Sequence, residues 1–256
     1  QDVTIGYPAR HHSHHIIGYN MQATAPKGTM TCIIGRNGTG KSTLLRSIAR
    51  LQNRLGGDIL LNGHSIDSYA QDKFARLLSI VLTSRPNAQS MTVYELVALG
   101  RTPYTGFWGR LGDEDRKIVD HALYMVGMQN MSRRRVCSLS DGECQKVMIA
   151  KSLAQGTPII LLDEPTAFLD FHGKVELLTL LRRLAHNEGK TILLSTHDLE
   201  AALQTADRLW MLDKNGIHEG EPKLLVANGD VDRYIGQKGV SVDEDFRIKI
   251  SVSDNK

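Results

Sequence analysis

The stretch GRNGTGKST, Gly35 to Thr43, follows the apolar run MTCIIG that begins at Met30 and leads directly into LLRSIARL. An apolar strand, a glycine-rich loop with one lysine, then a helical pattern meet the context required of a G-x-x-x-x-G-K-S/T phosphate loop. Gly35, Gly38 and Gly40 let the backbone bend close to a phosphate. The N–H groups along Arg36, Asn37, Gly38, Thr39, Gly40, Lys41, Ser42 and Thr43 are then expected to cradle its oxygens, with Lys41 neutralising the terminal ones. Ser42 is placed to ligate magnesium.

Outward from this loop, short apolar runs alternate with helical patterns. ILLNG from Ile59, PIILLDEP from Pro158, KTILLSTH from Lys190 and RLWML from Arg208 have the length and composition of buried strands. That alternation predicts an α/β fold with a largely parallel sheet. After Gly173, residues Leu177, Leu180, Leu181 and Leu184 share one helical face, and Gly189 supplies a stop. Between about Pro86 and Gly156 the strand runs give way to helical patterns, which predicts an inserted helical subdomain over 86–156. The nucleotide-binding core is then 1–85 with 157–235, and 236–256 is a tail whose alternating Phe246, Ile248, Ile250 and Val252 suggest a late strand.

Two further elements complete the chemistry that a phosphate loop begins. IILLDEP delivers Asp163 to a magnesium shell, and the adjacent Glu164 is placed to orient or deprotonate an attacking water. His197, after TILLST, can donate to a terminal phosphate, although a lone histidine also serves structural roles. In VCSLSDGECQKVMIAKSLA, from Val136, a helix start follows small polar residues. Ser140-x-x-Glu143 has the spacing of a capping box, and the open N–H groups nearby suit an anion.

Composition narrows the classes. At 256 residues and 41% hydrophobic the chain can bury a large core, and a formal charge of +3 is too small to argue for nucleic acid. The run Arg133, Arg134, Arg135 reads as a solvated helix end or a local anion contact. Three cysteines without metal-ligand spacing suit a reducing compartment. No apolar run approaches the roughly 18 residues needed to cross a bilayer, so a membrane role must come through a partner.

Taken together, GRNGTGKST, LSDGE, IILLDEPTAFLD and STHD stand in the order of the ATP-binding cassette ATPases, which the chain resembles over nearly its whole length. The resemblance implies a P-loop NTPase fold: a RecA-like core, an antiparallel β subdomain and the inserted helical subdomain. It implies ATP as substrate with Mg2+, and a homodimer in which each ATP lies between the phosphate loop of one chain and the signature of the other. Ser140 and the N–H of Gly142 would meet the partner's ATP, with Asp141 turned away, and Ala167 to Asp170 match the loop after the metal strand. Tyr7, in TIGYP, resembles the aromatic residue that stacks on adenine; a plain strand tyrosine is the alternative.

The Gly-Arg-x-Pro of ELVALGRTPYTGFWGRLGDEDRKIVDHALYMVGM resembles the subfamily that powers import of iron-siderophore, haem or cobalamin compounds. This implies two membrane permease subunits, an external substrate-binding protein acting indirectly, and a peripheral position on the cytoplasmic face of the inner membrane. Phe107 and Trp108 either line the permease-facing groove or pack locally. Two departures stand out. Thr83 aligns where the family places a magnesium-contacting glutamine, with Gln89 the nearest downstream, and LSDGE replaces Leu-Ser-Gly-Gly-Gln. The histidines of HHSHH, His11, His12, His14 and His15, fit an exposed turn better than a metal site. Rival readings are a soluble cassette ATPase acting on nucleic acid or ribosomes, and a regulator that binds nucleotide without hydrolysing it. The first is weakened by the absence of sustained heptads between Lys41 and Asp163, the second by Lys41, Asp163, Glu164 and His197 themselves.

Overall fold

The structure, a computed structural model, describes residues 1–8, 14–88, 90–106, 108–237 and 239–250. In chain order its main elements are β1 (Val3–Pro8), β2 (His14–Met21), β3 (Met30–Gly35), α1 (Lys41–Ile48), β4 (Leu60–Leu61), β5 (His64–Ser65), α2 (Gln71–Ala75) and β6 (Leu78–Val81). The helices α3 (Val93–Ala98), α4 (Asp113–Met125) and α5 (Asp141–Gln155) follow, then β7 (Ile159–Leu162), α6 (Phe171–Glu188), β8 (Thr191–Thr196), α7 (Leu199–Thr205), β9 (Arg208–Asp213) and β10 (Gly216–Gly220). Short helices α8 (Pro222–Ala227) and α9 (Asp230–Ile235) and the hairpin β11 (Val240–Val242) and β12 (Ile248–Ile250) close the described chain.

One six-stranded sheet, in the order β10-β9-β3-β8-β7-β6, organises the molecule. All its pairs are parallel except β9 with β10. Its central strands are buried and largely apolar because both faces are covered. Successive residues therefore enter different cores. Cys32, Ile34, Ile160, Leu162, Ile192 and Leu194 join the helices α3 to α6 on one side. Ile33, Leu161, Leu193 and Trp210 face α1 and the separate antiparallel pair β1–β2 on the other.

The run ILLNG departs from the reading as a buried sheet strand. It forms only the two-residue β4, paired with β5 in a hairpin outside the main sheet, and Leu60 is exposed. An apolar run with too few neighbours to cover it stays at the surface. The helix expected after Gly173 begins earlier, at Phe171, because Asp170 accepts a hydrogen bond from the N–H of Gly173 and caps it. It ends at Gly189 in the left-handed region, as the glycine stop predicts. The tail alternation is realised at Ile248 and Ile250; Val252 lies outside the described residues.

The Gly-Arg-x-Pro segment has a packing explanation. A side chain on Gly100 would run into the carbonyl oxygen of Lys151. Arg101, buried, donates from Nε to Asp115 at 2.8 Å and from Nη1 to the Ala154 carbonyl at 2.9 Å, with its guanidinium 4.0 Å from the centre of the Tyr104 ring. It thereby joins the start of α4 to the end of α5. The Arg101 and Gly112 donors hold the Asp115 carboxyl below its ordinary range. Among the described residues, no helix is long and apolar enough to cross a membrane.

Candidate active site

Four parallel strands carry their C-terminal ends to one edge of the sheet. β3 runs into the loop of residues 35–40, β7 delivers Asp163 and Glu164, β8 delivers His197, and β6 leads to Thr83. A crevice at the carboxyl ends of parallel strands is where open α/β sheets bind ligands.

The loop turns into α1 through Gly40, whose φ of 98° lies in the left-handed region. A Cβ at Gly40 would also sit 2.6 Å from Cγ2 of Ile17, so both conformation and space demand glycine. Thr39 fixes the preceding turn by donating from both its N–H and its hydroxyl to the Arg36 carbonyl. Gly40 offers no side chain to cap α1, and the first-turn N–H groups stand open to an anion.

Lys41 is buried at 6% exposure. Its Nζ donates to the Gly35 carbonyl at 2.7 Å and the Arg36 carbonyl at 3.4 Å, and lies 4.0 Å from Oε1 of Glu164. Burial lowers its pKa from the ordinary lysine value, while the carboxylates of Glu164 and Asp163 act in the opposite sense.

Asp163 is the hub. Its Oδ1 accepts from Ser42 Oγ at 2.8 Å and from Ser195 Oγ at 2.7 Å. Its carbonyl accepts from Thr83 Oγ1 at 2.9 Å, and its N–H donates to Val81 O at 2.8 Å. The Ser42 hydroxyl and the Asp163 carboxylate are hard oxygen donors side by side, a set that suits Mg2+ when phosphate oxygens and water complete the shell. Thr83 reaches the same region, where its hydroxyl donates to the Asp163 carbonyl and keeps its oxygen lone pairs for a water in the metal shell. Gln89 lies outside the described residues.

Glu164 has φ of 46°, uncommon for a residue with a side chain. Its N–H donates to Ser195 Oγ at 2.9 Å, which holds that conformation. Its Oε2 lies 3.7 Å from Nδ1 of His197, whose side chain is 59% exposed. Ser195, fully buried, is the site residue that reading along the chain missed. It sits two positions before His197 in STHD, and only the neighbouring strands reveal that one hydroxyl serves both acidic residues. Replacing it in Ser195→Ala should lower Mg-dependent turnover by roughly 10–100-fold, as loss of a supporting hydrogen bond does at metal sites. Steady-state kinetics against ATP and Mg2+ separately would detect this; unchanged turnover would exclude the supporting role.

Tyr7 is next to last in β1, 44% exposed, with its hydroxyl 3.4 Å from Thr43 Oγ1, so an aromatic face stands beside the start of α1. The signature residues begin α5. Ser140 Oγ accepts from the N–H of Glu143 at 3.2 Å, and Glu143 Oε2 accepts from the N–H of Ser140 at 2.8 Å, the capping box expected. The Ser140 hydroxyl keeps its proton for a further acceptor. Asp141 is turned to Arg85 of its own chain, Nε to Oδ1 2.6 Å. Arg134 makes a local anion contact, 3.6 Å from Glu143. Trp108 is exposed, whereas Phe107 and the HHSHH cluster, apart from His15 and the backbone of His14, lie outside the described residues.

A mostly parallel sheet with an uncapped glycine loop, a buried lysine and an Asp-Glu strand end defines a phosphate-loop nucleotide-binding cassette. The chain belongs to the ABC transporter family, whose sequence model matches residues 19–167. It is 38% identical over 248 residues to the iron(3+)-hydroxamate import ATP-binding protein of Bacillus subtilis (strain 168), covering 96% of this chain and 90% of that one. It is 42% identical over 228 residues to the achromobactin transport ATP-binding protein of Dickeya dadantii (strain 3937), covering 88% and 82%. Among solved structures, a dimeric post-hydrolysis ATP-binding cassette bound to ADP and Pi superposes with a TM-score of 0.77 at 27% identity, over 87% of this chain and 97% of that one.

Proposed function

We propose that this chain is the ATP-hydrolysing subunit of an importer for an iron-siderophore type of compound. The observation that carries the reaction is the meeting of Lys41, Ser42, Asp163 and Glu164 around one open helix end. The import names of relatives matching most of the chain support the cargo class.

In this reading the triphosphate lies along the loop 35–43, with adenine against Tyr7. Lys41 turns from the Gly35 carbonyl to the terminal phosphate, and Ser42 with Asp163 would hold the metal. A bound Mg2+ neutralises charge on the phosphate oxygens. Glu164 accepts a proton from water as the water oxygen bonds to the γ-phosphorus, and the bond from that phosphorus to the β–γ bridging oxygen breaks, releasing ADP and phosphate. His197 donates to a γ-phosphate oxygen while resting near Glu164. Positioning and charge do most of the work, as phosphoryl transfer requires.

The dimeric state of the similar ATP-binding cassette supports a homodimer, in which the turn at Ser140 and Gly142, opening α5, meets the partner's ATP head to tail. ATP closes the pair; hydrolysis and product release reopen it. Two permease subunits then convert that motion into uptake, an external binding protein delivers cargo, and the cassette sits peripherally on the cytoplasmic face of the membrane. Nucleic acid has no part.

Deleting the gene and following uptake of radiolabelled ferric hydroxamate, ferric catecholate and labelled cobalamin tests the cargo. Loss of one ferric chelate's uptake, restored by the native gene and not by Glu164→Gln, is expected. Unchanged uptake of all three would overturn the cargo class, and absence of ATPase activity in the purified chain would overturn the reaction.

A further inference from the structure

We propose that Arg85 is a positioning residue that masks the charge of Asp141 and ties the signature turn to the metal-strand end of the same chain. The proposal rests on the reading of this chain as a cassette that closes around ATP as a head-to-tail pair.

The segment entering the helical subdomain is fastened at two places. At Thr83 the hydroxyl donates to the carbonyl of Asp163 at 2.9 Å. Two residues on, Arg85 reaches across to the start of α5, where Nε meets Asp141 Oδ1 at 2.6 Å and Nη2 meets the Leu139 carbonyl at 3.1 Å. Ser140 lies between those two acceptors, so one guanidinium grips both of its neighbours. Asp163 serves the chain's own ATP, whereas Ser140 is offered to the partner's. Residues 83–85 therefore join the two halves of the machinery that one chain contributes to two different sites.

Charge explains why an arginine is needed. Asp141 sets a carboxylate at the first turn of α5, beside the groups offered to a phosphate. An unpaired carboxylate there would oppose closure around a highly anionic nucleotide. Arg85 cancels that charge and, by its second hydrogen bond, holds the turn that presents Ser140. Both side chains are more than half exposed, at 55% and 56%, and such a pair adds little to fold stability. Its effect belongs to dimer closure.

The test uses ATP-driven dimerisation in a Glu164→Gln background, read by size-exclusion chromatography across ATP concentrations, with fluorescent-nucleotide binding to the monomer and melting temperature as companions. Arg85→Ala should raise the ATP concentration for half-maximal dimerisation about tenfold or more, leaving monomer binding and melting temperature at their parental values. Arg85→Lys, which keeps the charge and loses the fork, should fall between. Adding Asp141→Gly to Arg85→Ala should restore much of the dimerisation by removing the unmasked carboxylate. Dimerisation of Arg85→Ala at parental ATP concentrations, or a double variant no better than the single one, would overturn the proposal. A Glu164→Gln parent that never dimerises with ATP would instead overturn the reading beneath it.

Discussion

Glu164→Gln should cut steady-state ATP turnover by roughly 100- to 10,000-fold, the range that a general base contributes, while ATP binding survives and an ATP-bound dimer accumulates. The substitution keeps the size and planarity of the side chain. Ser195 still accepts the backbone N–H at residue 164, so the strained φ of 46° and the approach of Asp163 to Ser42 should persist. What disappears is the acceptor for the water proton. A negative charge beside the γ-phosphate also disappears, along with its pull on Lys41 at 4.0 Å. Both losses favour the nucleotide-loaded state. Phosphate release measured over a time course, together with the elution volume of the ATP-loaded variant, separates the two effects. Native turnover would reject Glu164 as the base, and lost nucleotide binding would show that the side chain holds the loop together.

Much of this site is legible in the chain because its parts are local. The loop, its lysine and the first residues of the following helix occupy nine consecutive positions, 35–43, and the strand before them is buried on both faces because helices cover one side of the sheet and α1 with β1–β2 the other. The capping box at Ser140 and Glu143 spans a single turn and needs no tertiary partner. What the chain conceals is whatever depends on strand order. Ser195 meets Asp163 only because β8 lies beside β7, and nothing in TILLSTHD distinguishes its serine from an ordinary strand residue. The carboxylate of Asp141 could be expected to turn aside, but its partner Arg85 lies 56 residues away and is reached through the helical subdomain. ILLNG shows the opposite failure: its composition suits a sheet, yet the topology gives it only a two-residue hairpin partner.

Lys41→Ala should weaken ATP binding about 100-fold or more without unfolding the protein. A hydrogen bond to a charged group is worth about 1.5–3 kcal/mol, and the upper end of that range corresponds to roughly 150-fold in affinity. The fold itself should lose little. Burial holds the Lys41 pKa below its ordinary value, so the folded chain takes up that proton less readily than the unfolded one. Stability from this group is therefore greatest above the unfolded lysine pKa and falls as pH drops towards the folded value, where the buried cation is fully a cost. Removing the side chain relieves that cost while forfeiting its bonds to the carbonyls of Gly35 and Arg36. A net change within about 1 kcal/mol keeps the nucleotide-free melting temperature within about 4 °C of native. In the native chain, ATP at 100 times its Kd should add about 2.7 kcal/mol of stability, and the same concentration should add far less to Lys41→Ala. A thermal-shift titration reads both quantities at once. An undiminished ATP-dependent rise would show that the loop N–H groups bind the nucleotide unaided, and a collapsed nucleotide-free melting temperature would make Lys41 a structural pin of the loop.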